Sequence, residues 1–131
     1  MARIFDVEDS ARECAEIFAH EWIESWNRGD VERILSNCAD DLETTSPCIV
    51  EAMGQVTGVL KGKVAARQYW QRMLSIEPPR IFHLVQVLVG ATSVVICYRD
   101  AGRLRMGAEV LEFNARGEVQ SVSTHYAPTN R

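Results

Sequence analysis

Apolar positions near the amino terminus follow the period of an α-helix. One predicted helix face carries apolar or small residues at spacings of three and four, namely Cys14, Ile17, Phe18, Trp22, Ser25 and Trp26. Ser10-x-x-Glu13 has the form of a capping box, which places the start of this helix at Asp9 and Ser10. Gly29 is expected to end it in the left-handed conformation. The pattern therefore predicts one long amphipathic helix.

Shorter elements follow this helix. Asp30 can cap a second helix whose buried side consists of Val31, Ile34, Leu35 and Cys38. Residues 42–46 are predicted to be a strand that ends at Pro47. Residues 47–62, rich in glycine, are predicted to be a long binding or lid loop with room for one short strand. Helical spacing returns over residues 63–74 and is closed by Pro78-Pro79.

The second half of the chain changes to strand-like patterns. Strands are predicted at residues 81–89, 94–98, 104–113 and 119–126, separated by turn-forming residues. Tight turns between neighbours imply antiparallel pairing. Gly107, in the middle of a strand, is a candidate bulge or bend. Helices covering one face of a strongly bent sheet would bury both apolar surfaces, so the fold class is expected to be α+β.

Composition narrows the class of protein. The chain has 131 residues, 47% apolar and 24% charged, which fits a single globular domain over residues 1–131. A net charge of −4 argues against nucleic acid as a partner. No stretch has the ~18 apolar residues of a membrane helix, and no signal peptide is evident, so we expect a cytoplasmic protein without a membrane partner. The four cysteines match no zinc or redox spacing and are expected to be free thiols.

Several motifs together resemble the nuclear transport factor 2-like superfamily and its SnoaL-like members. The segments that carry the resemblance are Trp26-Asn27-Arg28-Gly29-Asp30-Val31, Cys38-Ala39-Asp40-Asp41, Ser46-Pro47, Leu60-Lys61-Gly62-Lys63, Tyr69-Trp70 and residues 109–119. The resemblance spans about residues 9–127. It implies a cystatin-like cone, in which helices pack in the concave face of a curved, largely antiparallel sheet around a deep pocket. It also implies a homodimer formed through the outer sheet face.

Ketosteroid isomerases are the members of this superfamily with a worked-out mechanism. Laid against their motif, the base position falls on Ser46, the tyrosine donor on Trp22, a supporting tyrosine on Trp70 and the acid on Glu109. A serine hydroxyl needs its own base to remove a proton, and an indole N–H can only donate. Steroid isomerisation by that mechanism is therefore not expected.

Glu109 is the remaining candidate for acid–base chemistry. Strand alternation places it on one face with Gly107 and Leu111, and the resemblance makes that face the inner one. A carboxyl group inside an apolar cone has a raised pKa and can act as an acid or a base near pH 7. Alternatively, Glu109 pairs with Arg105, faces solvent or faces a dimer partner.

The pocket walls are expected to come from two helices and the sheet. The candidate lining residues are Phe18, Trp22, Trp26, Ser46, Tyr69, Trp70, His83, Thr124 and Tyr126. The aromatic side chains could equally be core packing, and the pattern does not assign His83 to a face. Residues 122, 124 and 126 should face inward and residues 121, 123 and 125 outward. No metal-ligand spacing and no cofactor motif occurs, so neither is expected.

Two functions fit these observations. In the first, the protein binds a small apolar molecule in the internal pocket and acts as an isomerase or lyase with Glu109 as the acid–base group. In the second, it is a non-catalytic ligand-binding protein or a dimeric protein-interaction module. A buried Glu109 in a cavity would favour the first, whereas a filled cone with an apolar outer sheet would favour the second.

Overall fold

A computed structural model describes the backbone of residues 4–128 and the side chains of residues 10–128. Its elements in chain order are α1 (Ile4–Arg28), α2 (Val31–Leu35), β1 (Cys38–Thr45), α3 (Ile49–Met53), β2 (Val59–Lys61), α4 (Lys63–Leu74), β3 (Phe82–Val89), β4 (Ser93–Asp100), β5 (Arg105–Phe113) and β6 (Val119–Tyr126). The predicted α+β class is confirmed. None of the helices in the described part of the chain is long and apolar enough to span a membrane.

The long helix α1 was predicted with the wrong boundary and a partly wrong buried face. It begins at Ile4, so Asp9 and Ser10 lie within it rather than at its cap. Extending an existing helix needs only one further hydrogen bond per residue, and Ser-x-x-Glu is tolerated inside a helix. The buried stripe runs through residues that include two alanines, namely Ala15, Ala19, Trp22, Ile23 and Trp26. Cys14 is exposed and Ile17 is 62% exposed, because both lie off this stripe.

The turn after α1 agrees with the sequence pattern. Gly29 has φ +67° and ends the helix, with its N–H donating to the Trp26 carbonyl at 3.1 Å. The next N–H, of Asp30, donates to the Ser25 carbonyl at 2.9 Å, which completes a Schellman motif. The Asp30 side chain then caps α2 by accepting from the Arg33 N–H. Cys38 is buried as predicted but begins strand β1 instead of extending α2.

The segment predicted to be a loop contains more structure than expected. Residues 49–53 form the short helix α3, which ends at Gly54 with φ +62°, and residues 59–61 form β2, the short strand that the pattern allowed. Strand β2 pairs antiparallel with the end of β1 and so becomes one edge of the sheet.

Six strands form one mixed, curved sheet in the order β2-β1-β6-β5-β4-β3. Strands β1 and β6 pair in parallel, and all other neighbours are antiparallel. The register aligns inward-facing side chains in rows. One row joins Ile96, Glu109 and Thr124, and the next joins Tyr98, Gly107 and Tyr126.

Gly107 lies in regular register with both neighbouring strands, so the predicted bulge is wrong at this position. The absence of a side chain at residue 107 instead makes room for Tyr98. A Cβ at residue 107 would lie 2.7 Å from Cζ of Tyr98, so only glycine lets the Tyr98 ring lie against β5. The irregularity of β5 falls instead between Glu112 and Phe113.

Helix α1 is fixed to the edge strand β3 by one side chain. The Asn27 amide Nδ2 donates to the Phe82 carbonyl at 2.9 Å, and its Oδ1 accepts from the Phe82 N–H at 2.7 Å. Both backbone groups at the start of β3 are thereby satisfied. This clamp sets the position of the segment just before β3, which includes Arg80.

Candidate active site

Glu109 lies in the concave face of the sheet, beneath helix α1. Its side chain is buried, with 4% of the residue exposed, and Oε2 accepts a hydrogen bond from the indole Nε1–H of Trp22 at 3.2 Å. Trp22 is itself 1% exposed. The other oxygen, Oε1, has no hydrogen-bond partner among the described residues, so it is the atom available to a ligand.

The environment of Glu109 sets its proton affinity. Burial raises the pKa of Glu109 to about 7, and the Trp22 hydrogen bond and the positive charge of Arg80 oppose that rise only in part. Both the carboxyl and the carboxylate forms are therefore populated near neutral pH. A group in this state can take up and release a proton within one reaction cycle.

A small cavity lies beside Glu109. Its helix-derived walls are Trp26, Tyr69, Trp70 and Met73. Its remaining walls are Arg80, Phe82, Tyr98, Glu109, Thr124 and Tyr126. The cavity volume is about 20 Å³, enough for about one water molecule. A larger molecule can enter only if wall side chains move, and Met73 is the most flexible of the apolar ones.

The aromatic walls pack against one another. Trp70 makes edge contacts with Trp22 and with Trp26, at ring-centroid distances of 6.3 and 5.5 Å. Phe82 and Tyr98 lie closer, at 4.3 Å. Edge and tilted contacts of this kind add to the stabilisation from buried area. These side chains thus belong both to the core and to the cavity wall.

A buried charge cluster borders the cavity. Arg80 Nη1 lies 3.6 Å from Oδ2 of Asp100, with 3% and 1% of the two side chains exposed. Arg103 Nη1 reaches the same oxygen at 3.4 Å from a less buried position. The other carboxylate oxygen of Asp100 accepts from the Gly102 N–H. Two guanidinium groups therefore share one carboxylate.

Three buried donors on the cavity wall lack a hydrogen-bond partner within the described part of the chain. They are Trp26 Nε1, Arg80 Nη1 and the Tyr98 hydroxyl. Buried polar groups are nearly always hydrogen-bonded in folded proteins, so unpaired donors on a cavity wall mark a place where a ligand or water binds. Burial raises the pKa of Tyr98, which keeps its hydroxyl protonated and able to donate.

Ser46 and Tyr69 form a separate buried pair. The Tyr69 hydroxyl donates to Oγ of Ser46 at 3.0 Å, and Ser46 Oγ also accepts from the Cys48 N–H at 3.2 Å. Burial raises the pKa of Tyr69 to about 12. Ser46 thus has no neighbouring base and is not part of the cavity wall. This pair fixes the end of β1 against α4.

The other candidate residues divide into two groups. Trp26, Tyr69, Trp70, Thr124 and Tyr126 line the cavity, as does Glu109, and Trp22 reaches it through its hydrogen bond to Glu109. Phe18, Ser46 and His83 do not line it, contrary to the prediction.

Phe18 and His83 lie elsewhere in the fold. Phe18 packs on Trp22 and on Phe113, whose ring lies 5.4 Å away, and therefore belongs to the other end of the cone. His83 is exposed because Phe82, its neighbour in β3, takes the inward position. Neither side chain lines the cavity beside Glu109.

Four wall residues were not anticipated, namely Met73, Arg80, Phe82 and Tyr98. Strand alternation through Val94 and Ile96 could have identified Tyr98 as inward-facing. No local pattern points to Arg80, because it lies in the irregular segment after Pro79. Its burial depends on the fold of β3 and β4.

The side chains of the cavity wall offer acid–base and hydrogen-bonding groups. Among the side chains that the structure describes, no group of three or more His, Cys, Asp or Glu residues could hold a metal ion. The cavity brings together one titratable carboxyl, three unpaired donors and aromatic walls. It can hold a polar atom next to Glu109 while burying an attached apolar group.

Comparisons with known proteins agree with this architecture. Residues 19–127 match the SnoaL-like domain. A SnoaL-like protein of unknown function from Burkholderia thailandensis is 38% identical, with TM-score 0.80, covering 87% of this chain and 94% of that one. No curated protein matches the chain.

Two more distant structures share the fold. A protein with a cystatin-like fold from Methylobium petroleophilum has 16% identity and TM-score 0.67, covering 92% of this chain and 80% of that one. A candidate ketosteroid isomerase from Kribbella flavida has 15% identity and TM-score 0.66, covering 91% and 82%. The expected cystatin-like cone is confirmed, and the chain belongs to the SnoaL-like family of the nuclear transport factor 2-like superfamily.

Proposed function

We propose that this protein is an enzyme of the isomerase or lyase type that acts on a small, largely apolar molecule in the cavity. The observation that carries the proposal is the position of Glu109, a buried carboxyl in the cavity wall with a pKa of about 7. The fold is that of a structure described as a candidate isomerase, which is compatible with this class of reaction.

The four free cysteines suit a reducing compartment, and we place the protein in the cytoplasm.

Glu109 would act by moving one proton. Its carboxylate Oε1 takes a proton from a C–H bond next to a carbonyl group, and the electron pair of that bond moves onto the carbonyl oxygen. The neutral carboxyl then returns the proton to another carbon, or the electron pair expels a leaving group, which takes up that proton. The Trp22 indole holds Oε2 in place throughout, which leaves Oε1 directed to the substrate. The three unpaired donors are available to the oxygen atoms of the substrate.

Deuterium exchange tests this role without knowledge of the natural substrate. We would incubate the protein in D₂O with acetone, cyclohexanone or levulinate and follow loss of the α-proton signals by NMR. Exchange of at least one probe should be faster with the protein than in buffer. Glu109→Gln should return that rate to the buffer value.

Glu112→Gln is the matched control, because Glu112 is an exposed carboxylate on the outer face of the same strand. It should leave the exchange rate unchanged. No acceleration for any probe, or acceleration that survives Glu109→Gln, would contradict the proposal.

A second candidate function is supported by the outer face of the sheet. Strand register places apolar side chains together there, and we call Leu88, Val95, Cys97, Met106, Ala108 and Val110 the outer sheet patch. Leu88 is 47% exposed and the others are partly exposed. The narrow cavity also suits a non-catalytic ligand-binding protein, and the outer sheet patch suits an interaction module. We propose that the partner of such a module is a second copy of the chain.

The patch can be tested through the oligomeric state. Sedimentation equilibrium should find a dimer for the unmodified protein and a monomer for Val95→Asp, because a charge in the centre of the patch would be buried without a partner. Val64→Asp is the control, since Val64 is 67% exposed in the first turn of α4, where an acidic residue is favourable. A monomer in all three proteins would exclude the dimer.

A further inference from the structure

The unpaired donors of the cavity differ in kind. Trp26 Nε1–H and the Tyr98 hydroxyl are neutral, whereas Arg80 Nη1 belongs to a guanidinium group that is always charged. A neutral carbonyl oxygen would satisfy the first two. Such an oxygen would leave the buried charge of Arg80 only partly compensated. The charge of Arg80 is therefore better evidence for the chemistry of the ligand than the hydrogen-bond donors alone.

The charges around the cavity do not balance while Glu109 is protonated. Arg80 and Arg103 both contact the carboxylate of Asp100, which can neutralise one of them. Glu109 carries no charge when protonated, so one positive charge then remains beside the cavity. Arg80 is the more buried of the two arginines, with 3% of its side chain exposed against 16% for Arg103. The remaining charge is therefore felt most inside the cavity, where water screens it least.

Arg80 is held in place from two directions. The Asn27 clamp fixes the backbone at Phe82, two residues further along the chain. Asp100, itself held by the Gly102 N–H, attracts the guanidinium from the side. The separation of 3.6 Å between Nη1 and the carboxylate oxygen is longer than a hydrogen bond, so Nη1 can still donate to another oxygen. Such a preorganised guanidinium is typical of carboxylate recognition.

We propose that the ligand of this cavity is a small carboxylic acid, whose carboxylate is bound by Arg80 with the Tyr98 hydroxyl and the Trp26 indole as further donors. This inference rests on the proposed function in that it places the ligand beside Glu109. The apolar remainder of the ligand contacts the aromatic walls. Because the cavity holds about one water molecule, we infer that Met73 moves to admit that remainder.

The inference can be tested with pairs of compounds that differ in charge but hardly in shape. The probes are acetate, hexanoate and benzoate, each compared with its amide at matched ionic strength. Probe concentrations up to about 10 mM detect binding with a millimolar dissociation constant. The chain contains three tryptophans, so a ¹H–¹⁵N spectrum contains three indole signals, and Trp26→Phe assigns the signal of Trp26, which lines the cavity with Arg80. At least one carboxylate should shift the Trp26 signal, and its amide should not.

Two variants and one control connect this binding to the proposed residues. Arg80→Met should weaken carboxylate binding by about tenfold or more, because a charge-assisted hydrogen bond is lost. Arg99→Met makes the same change on the exposed outer face of β4 and should leave the affinity unchanged. If Arg80→Met does not fold, Tyr98→Phe removes an unpaired donor from the same site and should weaken binding severalfold.

The outcomes separate this inference from the proposed function. Equal shifts with acid and amide, no shift with any acid, or binding that survives both Arg80→Met and Tyr98→Phe would overturn the inference. In each of those cases the deuterium exchange by Glu109 could still be observed. Conversely, carboxylate binding through Arg80 without exchange that depends on Glu109 would retain this inference and overturn the proposed enzyme.

Discussion

Trp22 and Glu109 are 87 positions apart in the chain and are joined by a hydrogen bond of 3.2 Å in the buried centre of the fold. The bond links helix α1 to strand β5 and aligns the carboxyl group with the cavity. It also stabilises the carboxylate, so the pKa of Glu109 is raised less than burial alone would raise it. The protonation state of Glu109 near neutral pH depends on this balance.

Glu109 makes the stability of the protein depend on pH. Its pKa rises from an ordinary 4.5 to about 7 on folding, so the folded state binds the proton more tightly than the unfolded state. The contribution of Glu109 to the free energy of unfolding should therefore fall by about 3 kcal/mol as pH rises from 4.5 through 7. Above that pH the contribution should stay near zero. In Glu109→Gln this component should be absent. Urea unfolding of both proteins between pH 5 and 8 measures it.

The unmodified protein and Glu109→Gln should differ in stability at one end of the range from pH 5 to 8 but not at the other. Glutamine can still accept the Trp22 hydrogen bond and never ionises. At pH 5 the two proteins should be similar, and at pH 8 Glu109→Gln should be the more stable. Parallel stability curves for the two proteins would show that Glu109 does not titrate in this window.

The indole of Trp22 should lower the proton affinity of Glu109. Trp22→Phe removes the donor to Oε2, so the pKa of Glu109 should rise above its value in the unmodified protein. Trp70→Phe is the control, because Trp70 makes an edge contact with Trp22 but no hydrogen bond to Glu109. NMR titration of the carboxyl carbon should show the rise only for Trp22→Phe. Equal effects of the two changes would assign the shift to packing.

The close approach of Gly107 to Tyr98 predicts a specific loss of stability. Gly107→Ala places a methyl group 2.7 Å from the Tyr98 ring, and the strand cannot move without breaking its register. Overpacking of this kind costs about 1–3 kcal/mol. Tyr98→Leu should remove most of that additional cost, so the two changes should be non-additive in urea unfolding. Additive effects would place the strain elsewhere.

Asp100 should be far more important to stability than an exposed acidic partner. Asp100→Asn leaves the two guanidinium groups of Arg80 and Arg103 close together without a carboxylate, and losses of about 3–5 kcal/mol are typical for a broken buried pair. Glu32→Gln breaks the surface ion pair with Arg67 and should change the urea midpoint little. Similar midpoint shifts for the two changes would mean that the Arg80 cluster is well hydrated.

Most elements could be predicted because their patterns are local. Helix α4 and strand β6 have the predicted boundaries, since proline, glycine and turn residues delimit them. Helix α3 was missed because a five-residue helix has too few positions to establish a period. The face of α1 was misplaced at Ile17 because alanines, which give a weak hydrophobic signal, form part of its buried stripe.

The site was only partly predictable for a related reason. Strand alternation and the family resemblance brought Glu109 to the inner face, since both depend on spacing alone. The position of Arg80 depends on contacts with Asp100 and on the Asn27 clamp at Phe82, all distant in sequence. His83 could not be placed because both faces of β3 carry apolar residues. Long-range packing, which one sequence does not reveal, decided these positions.

The most direct test of the account is the pKa of Glu109 itself. In protein labelled with ¹³C at the glutamate carboxyl carbons, the signal that is missing in Glu109→Gln belongs to Glu109, and its shift can be followed from pH 4 to 9. We predict a midpoint near the value of about 7 that burial in the cavity wall produces. A midpoint between 4 and 5, as for a solvent-exposed glutamate, would contradict the assignment of Glu109 as the acid–base group.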